Sequence, residues 1–256
     1  MSLGAGPYLM YTDSRTKARV NNLLPGYGDG TVRLEEDGAA FGYMIGAMYE
    51  FTPKTRIGAV YRSEVEPDLE GTPSFSNLDP LVRQALAAAN LLGKEVDVDV
   101  TVPPQAQVDV YRELSPRWSV TGDLIWINMS EFGITRVSVA QDSISVRNDD
   151  FQDMWIGSAG VKDRYADQRA VSVGVLYASS PTIDSRRSIA LPFDRVISVG
   201  AGFEGPCFSF VCHASLNYVD IGDDASEDGG PLLGSVEGSF SSNWAVALDF
   251  QLRKRF

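Results

Sequence analysis

No stretch of this sequence approaches the roughly 20 consecutive apolar residues that a membrane-crossing helix needs. A helical membrane protein is therefore excluded. A membrane barrel is not, because its strands alternate apolar and polar residues and average out on a hydropathy scale. The mean hydropathy of -0.10 suits a barrel as well as a water-soluble chain. Cationic surface is scarce: 22 Lys and Arg face 34 Asp and Glu, for a formal charge of -12. That balance excludes nucleic acid as a partner, since a phosphate backbone needs a basic surface. A single histidine, His213, leaves no histidine cluster to hold a metal. The only cysteines, Cys207 and Cys212, are five apart, which is no metal-site spacing. They either close a small disulfide loop in an oxidising compartment or stay as two half-buried thiols. Gly26-Tyr27-Gly28-Asp29-Gly30 is glycine-rich but lacks a preceding strand and a following Lys-Ser, so it is a turn and not a phosphate loop. No secretory leader is visible in Met1 to Pro7, which says little about the natural compartment. No cofactor is implied.

What is abundant is period-two alternation. Phe41, Tyr43, Ile45, Ala47, Tyr49 and Phe51 share one face, with Gly42, Met44, Gly46, Met48 and Glu50 on the other. Ile57, Ala59 and Tyr61 then oppose Arg56 and Arg62, and Val108 and Val110 oppose Asp109 and Tyr111. The same pattern recurs from Trp118, from Trp155, from Val171, from Ile197 and through Phe208, Phe210, Ala214, Leu216 and Tyr218. A last strand carries Trp244, Val246, Leu248, Phe250 and Leu252 and ends at Phe256. These strands are about 10 residues or longer, which suits a tilted span of a bilayer, whereas strands of a soluble sandwich average nearer 5 or 6.

Connections alternate in length as well. Thr52-Pro53-Lys54, Ser115-Pro116-Arg117 and Ala166-Asp167-Gln168 are tight turns, and long polar loops lie near 71–96, 133–153, 179–193 and 220–236. Short turns on one side with long loops on the other is the layout of outer-membrane barrels, and Trp and Tyr near strand ends supply their interfacial girdles. The expectation is an all-β fold: one transmembrane antiparallel β-barrel domain over 1–256, with about ten strands. Leu78 to Leu92 breaks the alternation with helical spacing, capped by Asn77 or Asp79. This short extracellular-loop helix either packs on neighbouring loops or forms part of an apolar groove for ligand, in which case Leu81 and Leu86 contact it.

Several blocks carry a family resemblance. Phe41-Gly42-Tyr43, Thr52-Pro53, Thr55-Arg56-Ile57-Gly58, Tyr61-Arg62-Ser63 and Glu70-Gly71 form the first, and Ser180-Pro181, Leu191-Pro192, Asp194-Arg195, Ser198, Gly200 and Gly202 the second. With Trp118 and the closing Phe256, they resemble the FadL family of outer-membrane transporters for long-chain fatty acids, some of which take up aromatic hydrocarbons. The resemblance implies a fourteen-stranded barrel with an N-terminal hatch, in which extracellular loops capture ligand and the barrel wall releases it sideways. It covers the C-terminal portion of that pattern only: the hatch and about four strands would precede Gly4, and without the hatch the family's gating cannot be carried over. It also implies residence in the outer membrane among its lipids, and assembly by the barrel-assembly machinery through the strand that ends at Phe256.

A fatty acid needs a cation for its carboxylate and an apolar slot for its tail. By parity the lumen-facing cations are Arg56, Arg62, Lys162, Arg164 and Arg253, with Glu64, Glu66, Asp109 and Asp123 facing the same way. They either form an ion-pair network that fills the lumen or hold the ligand head, for which Arg62 or Lys162 is the choice. An enzyme has little support. His213 and Ser215 point the same way from one strand, about 7 Å apart, too far for a direct base–nucleophile bond. A barrel hydrolase or a plugged structural barrel remains the alternative from another class, and a soluble β-sandwich the third.

Overall fold

The computed structural model describes residues 1–256 except Asn90, 140–141, 146–150, 184–193, 223, 231–233, 241 and 255–256. The strand end at Arg255 and Phe256, and the Leu191-Pro192 motif, therefore lie outside the described residues. In chain order the strands are β1 (Ser2–Val20), β2 (Gly30–Thr52), β3 (Thr55–Arg62), β4 (Asp68–Gly71) and β5 (Ser74–Ser76). Helix α1 (Pro80–Ala88) precedes β6 (Val96–Thr101), β7 (Gln105–Glu113), β8 (Trp118–Ile127) and a single 3₁₀ turn at Met129–Glu131. Then come β9 (Gly133–Val139), β10 (Asp142–Ser145), β11 (Met154–Ala166), β12 (Arg169–Ala178), β13 (Val196–Cys207) and β14 (Phe210–Asp220). A hairpin of β15 (Asp224–Gly230) and β16 (Gly234–Phe240) leads to β17 (Trp244–Arg253).

The long strands lie side by side in the order β1-β2-β3-β7-β8-β11-β12-β13-β14-β17, every neighbouring pair antiparallel. These are ten strands, the number the alternation predicts, in a wall that matches the expected barrel. Among the described residues β1 pairs only with β2, and β17 only with β14. Facing outward are Val171, Val173, Val175 and Tyr177 of β12 and Val199 and Phe203 of β13, all exposed. An exposed apolar belt of this extent aggregates in water and is at rest in lipid, which removes the sandwich alternative. Exposed Trp155, Tyr177, Tyr218 and Trp244 mark the long-loop rim, and Tyr49, Trp118 and Tyr165 the tight-turn rim.

Phe208 is placed differently from its expected strand position. It forms the two-residue turn between β13 and β14 with Ser209, at φ 54° and fully exposed. Alternation alone cannot see a two-residue turn whose neighbours, Cys207 and Phe210, keep the apolar rhythm. Of the two states open to the cysteines, the disulfide is the one formed, across this turn with Cα atoms 5.8 Å apart.

On the long-loop side the sheet continues beyond the bilayer. β2 leaves β3 and pairs with β4 and β5, and β4-β6-β9-β10 extend this upper layer. The departure is at Ser63, whose N–H donates to the Tyr43 carbonyl and whose Oγ accepts from the Tyr43 N–H, both at 2.9 Å. Pro67, Pro103 and Pro104 follow near the bends, where a missing N–H costs no ladder bond. Val65, Leu69, Leu78, Val82 and Val98 make its small buried core.

Asp79 caps α1 through the Val82 N–H at 2.8 Å, and its other oxygen accepts from the Leu23 and Leu24 N–H groups at 2.5 and 2.9 Å. Asn22 accepts from the Asp79 N–H at 2.8 Å and donates to the carbonyls of Gly28 and Asn77. Asn77 sits at φ 55° and donates to the carbonyls of Gly28 and Asp29. This clamp, with Asp79 buried at its centre, joins the β1–β2 loop to the helix. Burial pushes the Asp79 carboxyl up, and backbone N–H donors from Val82, Leu24, Leu23 and Leu81 outweigh it and hold it below the ordinary value.

Candidate lumenal binding site

Directly opposite residues in an antiparallel pair share a face, so the registers define the lumen wall. One row runs Arg56, Tyr111, Thr121, Gly160, Gly174, Gly200 and Asn217 across seven strands. Three successive glycines in it carry no side chain of their own, and the Asn217 and Thr121 side chains lie against Gly200 and Gly160. On the β1–β3 side the wall is apolar and small: Gly4 and Gly6 of β1, Gly42, Met44, Gly46 and Met48 of β2, Gly58 and Val60 of β3. Most of these residues line a cavity of about 920 Å³ that also reaches Arg56, Tyr111, Asp109 and Asp123.

At the long-loop end of this trough stands Arg62. Its guanidinium lies 4.4 Å from the centre of the Tyr8 ring, and the Tyr8 hydroxyl donates to the Ser63 carbonyl at 2.9 Å. The ring is thus fixed and the cation rests on its face, an attraction that leaves the N–H donors available. Among the described residues Arg62 forms no ion pair. Just beyond the strand, burial together with Glu131 and Glu66 raises the Glu64 carboxyl above its ordinary value.

The other cations are engaged in varying degree. Lys162 is ion-paired with Glu204, and His213 Nδ1 approaches the same carboxylate at 3.9 Å. Arg164 donates to the Tyr111 hydroxyl at 3.2 Å and lies 3.9 Å from Glu113, to which that hydroxyl donates at 3.0 Å. Arg56 stacks 4.4 Å over the Tyr111 ring. These residues make a charged belt around the tight-turn half of the lumen. Asp109 and Asp123 lie opposite one another at mid-height, accepting from Gln107 at 2.6 Å and Ser158 at 2.5 Å. His213 and Ser215 share the lumen face of β14, facing Glu204 and Gly202.

The two cations singled out from the sequence thus occupy different surroundings, Arg62 on an aromatic ring and Lys162 in an ion pair. The helix candidates also separate: Leu81 is exposed and Leu86 half-buried, both on α1 among the long loops. Sequence reasoning missed Tyr8 and Tyr111 as platforms for arginine, and Met44 and Met48 as trough lining. The signal was present in the lumen-face parity of β2, where Met alternates with Gly in place of the usual polar residues.

Comparison with known proteins agrees with this architecture. Residues 1–212 match the family model described as outer membrane protein transport protein (OMPP1/FadL/TodX). The long-chain fatty acid transport protein of Escherichia coli K12 is 26% identical over 169 residues, covering 63% of this chain and 37% of that protein. The 47 kDa outer membrane protein of Pasteurella multocida is 27% identical over 180 residues, covering 67% of this chain and 41% of that protein. The matches thus span about two fifths of those relatives. The crystal structure of a Pseudomonas aeruginosa FadL homologue superposes with a TM-score of 0.73 at 17% identity, over 98% of this chain and 62% of that one. The Pseudomonas putida toluene transporter TodX gives 0.55 at 13% identity, over 97% and 64%. These likenesses establish the barrel fold, and the family match places the chain in the bacterial outer membrane: it belongs to the OMPP1/FadL/TodX family of outer-membrane transport proteins.

Proposed function

We infer that this chain forms much of the wall of a passive passage for hydrophobic compounds, long-chain fatty acids or aromatic hydrocarbons, and that it catalyses no reaction. The observation that carries this is the trough of glycine and methionine with Arg62 at its mouth. Glycine and methionine offer a smooth, adaptable apolar surface, and an arginine without an ion pair among the described residues is matched to one carboxylate. Lys162, whose charge is already answered by Glu204, plays a structural part. Leu81 and Leu86 belong to the capture surface above the bilayer. The names of the relatives, a long-chain fatty acid transport protein and a toluene transporter, support the ligand class. Recognition of the final strand, ending at Phe256, by the barrel-assembly machinery is part of the same proposal.

The test is uptake of a fluorescent long-chain fatty acid and of toluene into liposomes carrying the protein. Both are expected to enter faster than into empty liposomes. Rates equal to those of empty liposomes would overturn the proposal, as would turnover of a lipid or peptide substrate that His213→Ala abolishes.

A further inference from the structure

β1 and β2 have 19 and 23 residues, whereas about 9 to 11 suffice to cross a bilayer at a tilt near 45°. The surplus rises above the membrane as a two-stranded ribbon on the long-loop side. On its inner face β2 is covered, with Glu36 and Gly30 buried, whereas Thr16 and Ala18 of β1 and the outer face are open. Along that outer face the chemistry changes abruptly. Up to Tyr11 and Phe41 it is apolar, and beyond them every outer residue of β1 is charged: Asp13, Arg15, Lys17 and Arg19.

These charges form two tiers. The lower is acidic: Asp13 lies opposite Asp37, Asp37 opposite Glu70, and Glu70 opposite Asp97. Above it Arg15 lies opposite Glu35, and the upper tier is basic, with Lys17 directly opposite Arg33 at its centre. Like charges in that position repel across Cβ atoms only ~5 Å apart. Among the described residues neither forms an ion pair, while Arg15 below them and Arg19 above them reach Asp13 at 3.3 Å and Asp29 at 3.2 Å. Those two pairs are so open to water, with Arg15 and Arg19 71% and 82% exposed, that both cations remain exchangeable to a better anion.

Lys17 is six residues beyond Tyr11, so at about 3.3 Å per residue and a 45° tilt it stands about 14 Å above the aromatic rim, with Arg15 about 9 Å above it. In an outer membrane that is the level of the phosphorylated sugars of the surface leaflet. We propose that Lys17 and Arg33, flanked by Arg15 and Arg19, bind a phosphate group of lipopolysaccharide. An anion between Lys17 and Arg33 turns their mutual repulsion into two charge-assisted contacts, and guanidinium groups match phosphate oxygens in pairs. The acidic tier below repels the same phosphate and so sets the height at which it sits. The site lies on the outer surface, independent of anything that passes through the lumen.

The experiment measures binding of deep-rough lipopolysaccharide to the detergent-solubilised protein. Its arms are the same glycolipid with its phosphates removed, phosphatidylglycerol, and competition by inorganic phosphate. Wild-type protein is expected to prefer the phosphorylated glycolipid to the other two, and Lys17→Gln with Arg33→Gln to bind it about tenfold more weakly. Lys54→Gln, in the turn between β2 and β3, is expected to leave it unchanged. Lys17→Glu separates recognition from folding: it makes the Arg33 pair attractive, so hydrogen exchange in the ribbon slows while glycolipid binding falls. Equal binding of the dephosphorylated glycolipid or of phosphatidylglycerol, full competition by millimolar inorganic phosphate, or unchanged binding by the double variant would each overturn the proposal.

Discussion

The two halves of the lumen use the same residue types to opposite ends. In the tight-turn half, Lys162 meets Glu204 and Arg164 meets Tyr111 and Glu113, so cation and carboxylate answer one another and the wall is braced. On the β1–β3 side of the long-loop half, Arg62 lies on a tyrosine ring beside a wall of Gly and Met. A cation that is neutralised locally has little left for a ligand, whereas one held by a ring face keeps its charge and its donors. Location in the lumen is therefore not what makes a cation a binding group. Its immediate partner is.

The largest effect expected from this contrast is at Arg62. Arg62→Glu should lower fatty-acid uptake into liposomes by about tenfold or more, because a carboxylate now faces a carboxylate, and should slow toluene entry far less. Lys162→Gln, on the other side of the comparison, should change fatty-acid uptake less than about twofold; equal losses at both positions would erase the distinction. Next is Met44→Asp, which puts a charge into the trough and should slow both ligands several-fold, measured in the same assay. A smaller change is expected from Glu204→Gln, which leaves Lys162 without its partner. It should lower thermal stability by roughly 1 kcal/mol, since the pair is about one third exposed, and leave uptake intact.

The clamp above the bilayer responds to pH. Asp79 has its folded pKa lowered, so its contribution is fully present above the ordinary value of 3.8 and is lost as pH falls through the lower folded value. Pepsin cleavage within 21–29 should rise in that acidic window for the wild type. Asp79→Asn should be cleaved at a rate that shows no such step. The smallest effect, none in uptake, is expected for His213→Ala.

Much of this arrangement was readable from alternation. The apolar faces of β2, β12, β13 and β17, the tight turns at Pro53, Pro116 and Asp167, and the cap at Asp79 all follow from local rules. What was not readable depends on strands far apart in sequence. Tyr8 supports Arg62 across 54 positions, and Lys162 finds Glu204 across two strands. Parity gives the face of a side chain but not its height, and height decides which cation meets which partner. The branching of β2 from β3 to β4 was hidden for a different reason: the break in alternation at 35–40, where the apolar face passes from even to odd positions along the chain, does not say which strand is the new neighbour.

The row of Gly160, Gly174 and Gly200 has a consequence for size selection in the proposed passage. Three adjacent strands carry no side chain of their own there, and the space is partly taken by neighbours, Asn217 against Gly200 and Thr121 against Gly160. In the proposed passage the gauge at this height would follow from how Asn217 and Thr121 lie over the glycines. At Gly174, where only backbone lies within 4 Å, a side chain would narrow the proposed bore, which makes it the position where a single substitution would sort slender chains from broad rings.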